Sequence, residues 1–264
     1  MTTETGQSID ATEITAMPKP NTGWFTASRV VHGLLALTAF VGIAASFYSM
    51  QFEPAAAGDK AIRGFAGAFN TLSYFTMWSN ITNFIVLILV ALNPARNTTF
   101  FRWIRLTALV MMTVTGIIYA LVLAPLYAGK TFPPMSTLSN DIVHYFMPWA
   151  TIAAWLVFGP RPRIFAKTFF SVLILPIIWL AFALTRGAVY KHGFRNGDSY
   201  PYPFLDVDKL GYAQVTVNIL GIAVFGLALA AIYWGLDRLL SRKAIKSSEP
   251  LEVTDGSADP TGGA

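Results

Sequence analysis

Four hydrogen-bonding side chains follow one another at steps of three or four residues in the apolar stretch 69–92. They are Ser73, Thr76, Asn80 and Asn83. At about 3.6 residues per turn, this spacing places them on one face of a helix. The stretch is long enough to span a bilayer, and exposing amides to hydrocarbon costs several kcal/mol each. The face must therefore turn toward other helices as packing contacts, or toward a wet, functional cavity.

His144 is an ionisable residue inside another apolar stretch, 140–159, and such a residue within a membrane helix is a functional candidate. Asp141 precedes it by three residues and shares its helix face. A carboxylate there would hold the imidazole in one tautomer and stabilise its protonated form, as in a nucleophile–base–acid system. The alternative is that Asn140 or Asp141 only caps the helix, while His144 packs at the membrane interface.

The composition is that of a membrane protein. Of the 264 residues, 54% are hydrophobic and 12% charged, against a charged share of about 25% in soluble proteins. The absence of cysteine excludes disulfides, thiol nucleophiles and cysteine-bound metals. The net charge of +5 favours basic loops beside anionic lipid over a nucleic-acid surface.

Six apolar runs have the length that a bilayer core requires, which is about 20 residues each. They lie near 30–50, 69–92, 104–127, 140–159, 165–185 and 211–235. We therefore predict an all-α, polytopic integral membrane protein with six transmembrane helices over residues 24–240, between disordered tails at 1–23 and 241–264. Pro148 and Pro176 fall inside predicted helices, where neighbouring helices must satisfy the freed carbonyls. No internal repeat is visible, which argues against inverted-repeat transporters.

Basic residues predict the orientation of the helices. Twelve of the nineteen Lys and Arg residues fall on the side that holds both termini. Since positive charge near helix ends stays inside, both termini are expected in the cytoplasm of a cell whose plasma membrane holds the chain. The loops at 51–68, 128–139 and 186–210 then face outward.

Polar side chains of four predicted helices share one depth. At a rise of about 1.5 Å per residue, Thr76, His144, Tyr119 and Asn218 lie about 8 to 12 Å below the outer ends of their helices. We expect helix packing to bring this hydroxyl, imidazole, phenol and amide together. His32 lies near the opposite end of the first helix, and we expect neither a metal site nor a cofactor.

The outer loop 186–211 is the most distinctive non-helical segment. Its residues Tyr200, Tyr202 and Phe204 alternate with Pro201 and Pro203, which predicts a stiff, extended and aromatic element. Such an element is either an anchor at the level of the lipid headgroups or a lid over an outward-opening cavity.

Three motifs resemble a known family: YFTMWSN (74–80), DIVHYFMPW (141–149) and YPYPFLDV (200–207). The chain is similar to the androgen-induced and androgen-dependent membrane hydrolases, and most closely to their bacterial six-helix relatives, over roughly residues 28–240. The third motif is fairly specific, and the three occur in the expected order. The resemblance implies a threonine hydrolase that cleaves fatty-acid esters of hydroxy fatty acids within the membrane, with Thr76 and His144 as its reactive residues. The chain departs from the animal pattern, rich in Asn and His, by having Asp141.

The leading hypothesis is hydrolysis of an amphiphilic lipid ester near the outer leaflet. Thr76 would be the nucleophile, His144 the general base and then the acid, and Asp141 its orienting partner. Asn80 or Asn218 would donate to the developing oxyanion. The candidates for substrate contact share the outer layer or the aromatic loop, and are Asn80, Asn218, Tyr119, Tyr202 and Phe204.

Two alternatives use the same residues without chemistry. The chain could be a small transporter or lipid-binding membrane protein, for which Pro148 and Pro176 are hints of broken helices. It could also be a structural subunit, in which the polar row only joins helices. The expected partners are a lipid or lipid-ester substrate and the membrane itself, without nucleic acid. The sequence leaves the oligomeric state open.

Overall fold

The computed structural model describes residues 22–55, 59–159, 164–165 and 168–246. Of the predicted tails at 1–23 and 241–264, only 22–23 and 241–246 lie within these ranges, where they belong to the first and last helices. Within them the regular structure is helical, with no strand. The α-helices are α1 (Thr22–Phe52), α2 (Gly64–Leu72), α3 (Phe75–Leu92), α4 (Thr99–Ile118), α5 (Pro134–Asn140), α6 (Met147–Phe158), α7 (Ile174–Val189) and α8 (Val207–Lys246).

Six of the described helical stretches are long and apolar enough to cross a membrane, which confirms the predicted class. They are Gly23–Phe52, Phe75–Leu92, Thr99–Tyr127, Pro134–Phe158, Phe170–Val189 and Val207–Ser241. Large apolar side chains such as Leu34, Leu37 and Phe40 are more than half exposed on α1, as expected for a helix that faces lipid. The chain is an all-α, multi-pass membrane protein.

Helix α4 lies at the centre of the bundle. Almost every side chain from Ile104 to Gly116 is buried, and α4 packs against α3, α6 and α8. Leu106, Met111 and Met112 are no more than 1% exposed. A largely apolar helix that is buried on all sides fits this central position.

The second predicted span is interrupted. The sequence predicted one helix over 69–92, but α2 ends at Leu72 and α3 begins only at Phe75. Two indole N–H groups donate to the carbonyls freed at the break: Trp78 to Leu72 at 2.9 Å, and Trp179 to Ser73 at 3.1 Å. Thr76 consequently lies in the first turn of a helix, where backbone N–H groups have no intrahelical partner.

Two π-helical segments each end close to a proline. Tyr119–Leu123 is followed by Pro125, and Asp141–Phe146 by Pro148. Proline has no N–H to donate, so the ladder before it must widen or lose a bond. The carbonyl of Val143, five residues before Pro148, accepts instead from Asn80 Nδ2 at 3.2 Å. A neighbouring helix thus supplies the donor that Pro148 lacks.

Three loops gather at one end of the bundle. The Glu53 carboxylate, at the end of α1, accepts from the backbone N–H groups of Met135 and Ser136 at 2.7 and 2.9 Å. The backbone N–H of Lys60 donates to the carbonyl of Arg195 at 2.8 Å. Hydrogen bonds therefore connect three loops at this end of the bundle: those after α1, before α5 and after α7. We call it the loop end.

The aromatic loop folds into the bundle. Tyr200 and Tyr202 are 4% and 7% exposed, so these rings do not extend into a headgroup layer. A glycine permits this packing, because a Cβ at Gly187 of α7 would lie 2.3 Å from the ring of Tyr200. The ring of Tyr202 packs against Tyr74 and Trp179, with centroids 6.0 Å apart in each pair. The loop closes over the helices at the break between α2 and α3.

Candidate active site

Thr76 and His144 meet between α3 and the π segment that precedes α6. Their side chains are hydrogen-bonded, with Thr76 Oγ1 and His144 Nε2 3.0 Å apart. The Thr76 side chain is buried, and it lines two cavities. A hydroxyl bonded to an imidazole nitrogen is the arrangement that activates a weak oxygen nucleophile.

The second nitrogen of His144 contacts Asn140. Its Nδ1 lies 3.0 Å from Asn140 Oδ1. An amide oxygen only accepts, so Nδ1 carries the proton of the neutral ring, and Nε2 presents its lone pair to the Thr76 hydroxyl. The sequence-based hypothesis gave this orienting position to Asp141. Asp141 is exposed, and the contact goes to Asn140, four residues before His144 and therefore on the same helix face.

Tyr119 stacks on the imidazole. The two ring centroids are 3.9 Å apart, and the ring planes are inclined by 16°. Tyr119 begins one π segment and His144 lies in the other, so the two widened turns face each other. Such turns are frequent at functional sites, because the extra residue re-aims the side chains around it. The predicted meeting of the phenol with the imidazole and the hydroxyl occurs in the structure.

The N-terminus of α3 forms the other wall of the site. The N–H groups of Phe75 and Thr76 belong to its first turn, and no side chain caps it. Burial raises the pKa of Tyr202 to about 12, although hydrogen bonding to Thr76 and to the backbone of Thr76 and Phe75 acts in the opposite direction. The phenol is therefore protonated at neutral pH. Backbone donors, the positive end of a helix dipole and a phenol converge beside Thr76.

Asn80 and Asn83 of the polar face join helices, whereas Ser73 bonds back to α2. The Asn80 amide donates to the carbonyls of Thr76 and Val143, at 2.9 and 3.2 Å. Asn83 donates to Thr151 Oγ1 at 2.8 Å, and Ser73 to the carbonyl of Phe69 at 2.7 Å. Both hydrogens of the Asn80 amide are engaged, so this side chain has none for an oxyanion. Asn80 and Asn83 therefore serve helix packing. Of the four residues on the polar face, Thr76 is the one hydrogen-bonded to His144.

Asn218 lies outside the cluster and holds the aromatic loop. Its Nδ2 donates to the carbonyl of Phe204 at 2.9 Å, and its Oδ1 accepts from Gln214 at 3.0 Å. The Phe204 ring stacks on Tyr202 with centroids 5.1 Å apart and planes inclined by 6°. Equal depth did not bring Asn218 to Thr76, because depth does not specify which way a helix face points.

Two cavities meet at the candidate pair. The larger one, about 700 Å³, reaches the loop end, and its lining includes Asp59, Lys130 and Arg195 together with His144 and Asn140. The smaller one, about 150 Å³, is a cleft among α4, α7 and α8 with almost entirely apolar walls. Four residues line both: Thr76, Tyr119, Leu123 and Tyr202. The Thr76 hydroxyl thus stands between a polar and an apolar space.

If Asn80 serves packing, replacing it by leucine destabilises the fold. Asn80→Leu removes both donated bonds and leaves the Val143 carbonyl unpaired beside Pro148. We expect a loss of about 1–3 kcal/mol, seen as a thermal unfolding midpoint several degrees lower for the purified protein. Thr216→Leu, which changes an exposed polar side chain of α8 that bonds within its own helix, serves as the control. Equal midpoints for Asn80→Leu and the unmodified chain would contradict the packing assignment.

Comparison with known proteins finds no relative of this chain. No protein-family model, no curated protein and no solved structure matches the chain. The resemblance to the androgen-induced and androgen-dependent membrane hydrolases therefore stays a prediction based on three short motifs. The function has to be inferred from the chemistry of Thr76, His144 and the groups around them.

Proposed function

We propose that this membrane protein hydrolyses an ester of an amphiphilic lipid, with Thr76 as the nucleophile. The observation that carries the proposal is the hydrogen-bonded chain Thr76–His144–Asn140, with distances of 3.0 Å at both contacts of the imidazole. It has the three parts of a nucleophilic triad: a hydroxyl, a base and a group that fixes the tautomer of the base. The two cavities that meet at Thr76 match a substrate with one polar and one apolar part.

In the first half of the reaction, Thr76 Oγ1 attacks the ester carbonyl carbon, and its proton passes to His144 Nε2. The carbonyl oxygen becomes an oxyanion next to the N–H groups of Phe75 and Thr76 and the hydroxyl of Tyr202. These N–H groups exchange the Tyr202 oxygen for the oxyanion, and donors held in place by the fold stabilise this charge. When the tetrahedral intermediate collapses, the C–O bond to the alcohol breaks, and His144 returns its proton to the leaving alkoxide.

In the second half, water attacks the acyl-threonine ester and gives a proton to His144. Collapse releases the carboxylic acid and restores the Thr76 hydroxyl as His144 returns that proton. The imidazolium formed in each half lies against the face of Tyr119, 3.9 Å from ring to ring, and an aromatic face stabilises a cation. Asn140 occupies the position at Nδ1 where other triads have a carboxylate, and it orients the ring without a counter-charge. The stacked face of Tyr119 is then the group that stabilises the imidazolium.

Replacement of the pair tests the mechanism. Thr76→Ala removes the attacking oxygen and should abolish hydrolysis of a fluorogenic ester by the purified protein, whereas Thr76→Ser retains some rate. His144→Ala should lower kcat by about 100-fold or more, as for loss of a general base. Because the two residues act as one unit, the double variant should be scarcely slower than either single variant.

The control for these variants is Thr216→Ala, an exposed membrane threonine of α8. It should hydrolyse the ester at the unmodified rate. If Thr76→Ala retained full hydrolysis, the proposed mechanism would be excluded. If neither the unmodified protein nor any variant hydrolysed an ester, the chain would instead fit a lipid-binding or transport protein that uses the same cavities.

The orienting residue can be identified separately. Asn140→Leu removes the acceptor of Nδ1 and lets the imidazole turn or change tautomer, while Asp141→Asn leaves that contact intact. Losing one hydrogen bond of about 1.5 kcal/mol predicts a fall in kcat of about tenfold for Asn140→Leu. Steady-state kinetics of both variants decide the assignment. A large loss in Asp141→Asn with a normal Asn140→Leu would instead assign the role to Asp141.

We also infer that both termini are cytoplasmic and that the chain lies in the plasma membrane, from the distribution of Lys and Arg. The loop end and the polar cavity then open outward. Single cysteines in this cysteine-free chain report the orientation. A membrane-impermeant maleimide should label Lys60→Cys in intact cells, but Thr99→Cys only after permeabilisation. The reverse pattern would place the loop end, and the site with it, in the cytoplasm.

A further inference from the structure

We propose that the cleft among α4, α7 and α8 binds the acyl chain of the ester, that this chain has about six to ten carbons, and that Gly226 forms the floor that limits its length. The inference rests on the proposed function, because it assigns the acyl part of the substrate to one side of Thr76. The polar cavity then receives the alcohol part. Such an assignment makes the enzyme selective for medium-length acyl chains.

The walls of the cleft suit an apolar group such as an alkyl chain. Val114 and Ile118 of α4, Leu180 of α7 and Ile222 of α8 line it, and Thr76 and Tyr119 stand at its outer end, where the polar cavity begins. An acyl group whose carbonyl lies at Thr76 therefore extends from the reactive hydroxyl directly into an apolar space. Burying each methylene there is favourable.

Lipid reaches the cleft from the side. The backbones of α7 and α8 do not pack closely against each other, and Ile177 of α7 lines the cleft while 57% exposed. Pro176, beside it, is part of the same wall. A chain that is already dissolved in the bilayer can thus slide between α7 and α8 without crossing water.

Gly226 closes the far end. It is buried in α8, and a Cβ built on it would meet Val110 Cγ1 at 3.8 Å and Leu173 Cδ2 at 3.9 Å. Three different elements therefore converge at this level of the cleft. A Cβ at position 226 would already be in contact with both side chains, so a larger residue there would fill this level and shorten the cleft.

Distances along the helices set the length of the chain. Tyr119 and Val110 are nine residues apart, and Ile219 and Gly226 seven, which correspond to about 13 and 10 Å at 1.5 Å per residue. With carbon–carbon bonds of about 1.5 Å at nearly tetrahedral angles, an extended alkyl chain advances by about 1.25 Å per carbon, so roughly eight to ten carbons fill this length. The volume of about 150 Å³ matches that of an apolar protein cavity that takes up a six-carbon ring, which gives the smaller of the two estimates, about six carbons.

Hydrolysis of a series of p-nitrophenyl esters, from butanoate to tetradecanoate, tests the floor. The unmodified protein in nanodiscs should show its highest kcat/KM between hexanoate and decanoate. Gly226→Leu should lower the ratio of decanoate to butanoate kcat/KM by at least about tenfold, since each excluded methylene is worth about fourfold. Gly221→Leu, at an exposed glycine of the same helix with no atom near a Cβ, should leave the ratio unchanged.

A second readout does not depend on hydrolysis. Decanamide with a terminal diazirine, photolysed with the protein in nanodiscs, should attach to peptides that contain Val110, Leu173 or Gly226, and Gly226→Leu should abolish this labelling. If Gly226→Leu fails to fold, Ala223→Leu, which fills the same cleft nearer its mouth, replaces it in both assays.

The two readouts separate the two claims. Labelling at the floor without hydrolysis of any ester would refute the proposed function and leave the acyl site standing. The opposite outcome is ester hydrolysis with the same chain-length profile in Gly226→Leu and Gly221→Leu, together with labelling outside the cleft. It would overturn the acyl site and leave the hydrolase function standing.

Discussion

Inside a bilayer no water replaces a lost backbone hydrogen bond, so each break in a helix must be repaired by protein groups. This constraint organises the structure. Trp78 and Trp179 donate to the carbonyls freed between α2 and α3, and Asn80 donates to the Val143 carbonyl beside Pro148. Each repair is made by a side chain from another turn or another helix. The breaks are thereby fixed in place, and they are also where the reactive groups lie.

A continuous helix would offer no backbone donors at the depth of Thr76, because all of its N–H groups would be bonded. The break at Ser73 and Tyr74 creates a helix N-terminus within the protein, with N–H groups that have no partner within the helix and positive potential beside the hydroxyl. The π segments aim Tyr119 and His144 at each other from opposite helices. Local irregularities that cost helix stability are thus concentrated at one place, as is common for functional sites.

The polar face of the second span divides between two tasks that its sequence does not distinguish. Asn80 and Asn83 bind other helices and are fully buried. Thr76 reaches His144 and lines both cavities. The difference arises from position along the helix, because only the first turn of α3 faces the space below the aromatic loop.

The six spans were predictable, because hydropathy specifies which segments are long enough to cross a bilayer. The meeting of Thr76, His144 and Tyr119 was predictable too, because the constant rise per residue gives each side chain's depth along its helix. The rotation of each helix was not, which is why Asn218 at the same depth holds Phe204 instead. The break before Phe75 was also unpredicted, since no proline or glycine marks it. The role of Asn140 had a signal in its i−4 spacing from His144, and Pro148 marked the widened turn beside it. The apolar cleft depends on how α7 and α8 are placed, which no local pattern encodes.

The central claim is that the Thr76 hydroxyl is a nucleophile activated by His144, and mapping of a covalent adduct tests it most directly. The purified protein is treated with a fluorophosphonate, digested and analysed by tandem mass spectrometry. We predict one adduct, on Thr76, that is lost in His144→Ala because the hydroxyl is no longer activated. An adduct on another residue, or one on Thr76 that forms equally well without His144, would contradict the account.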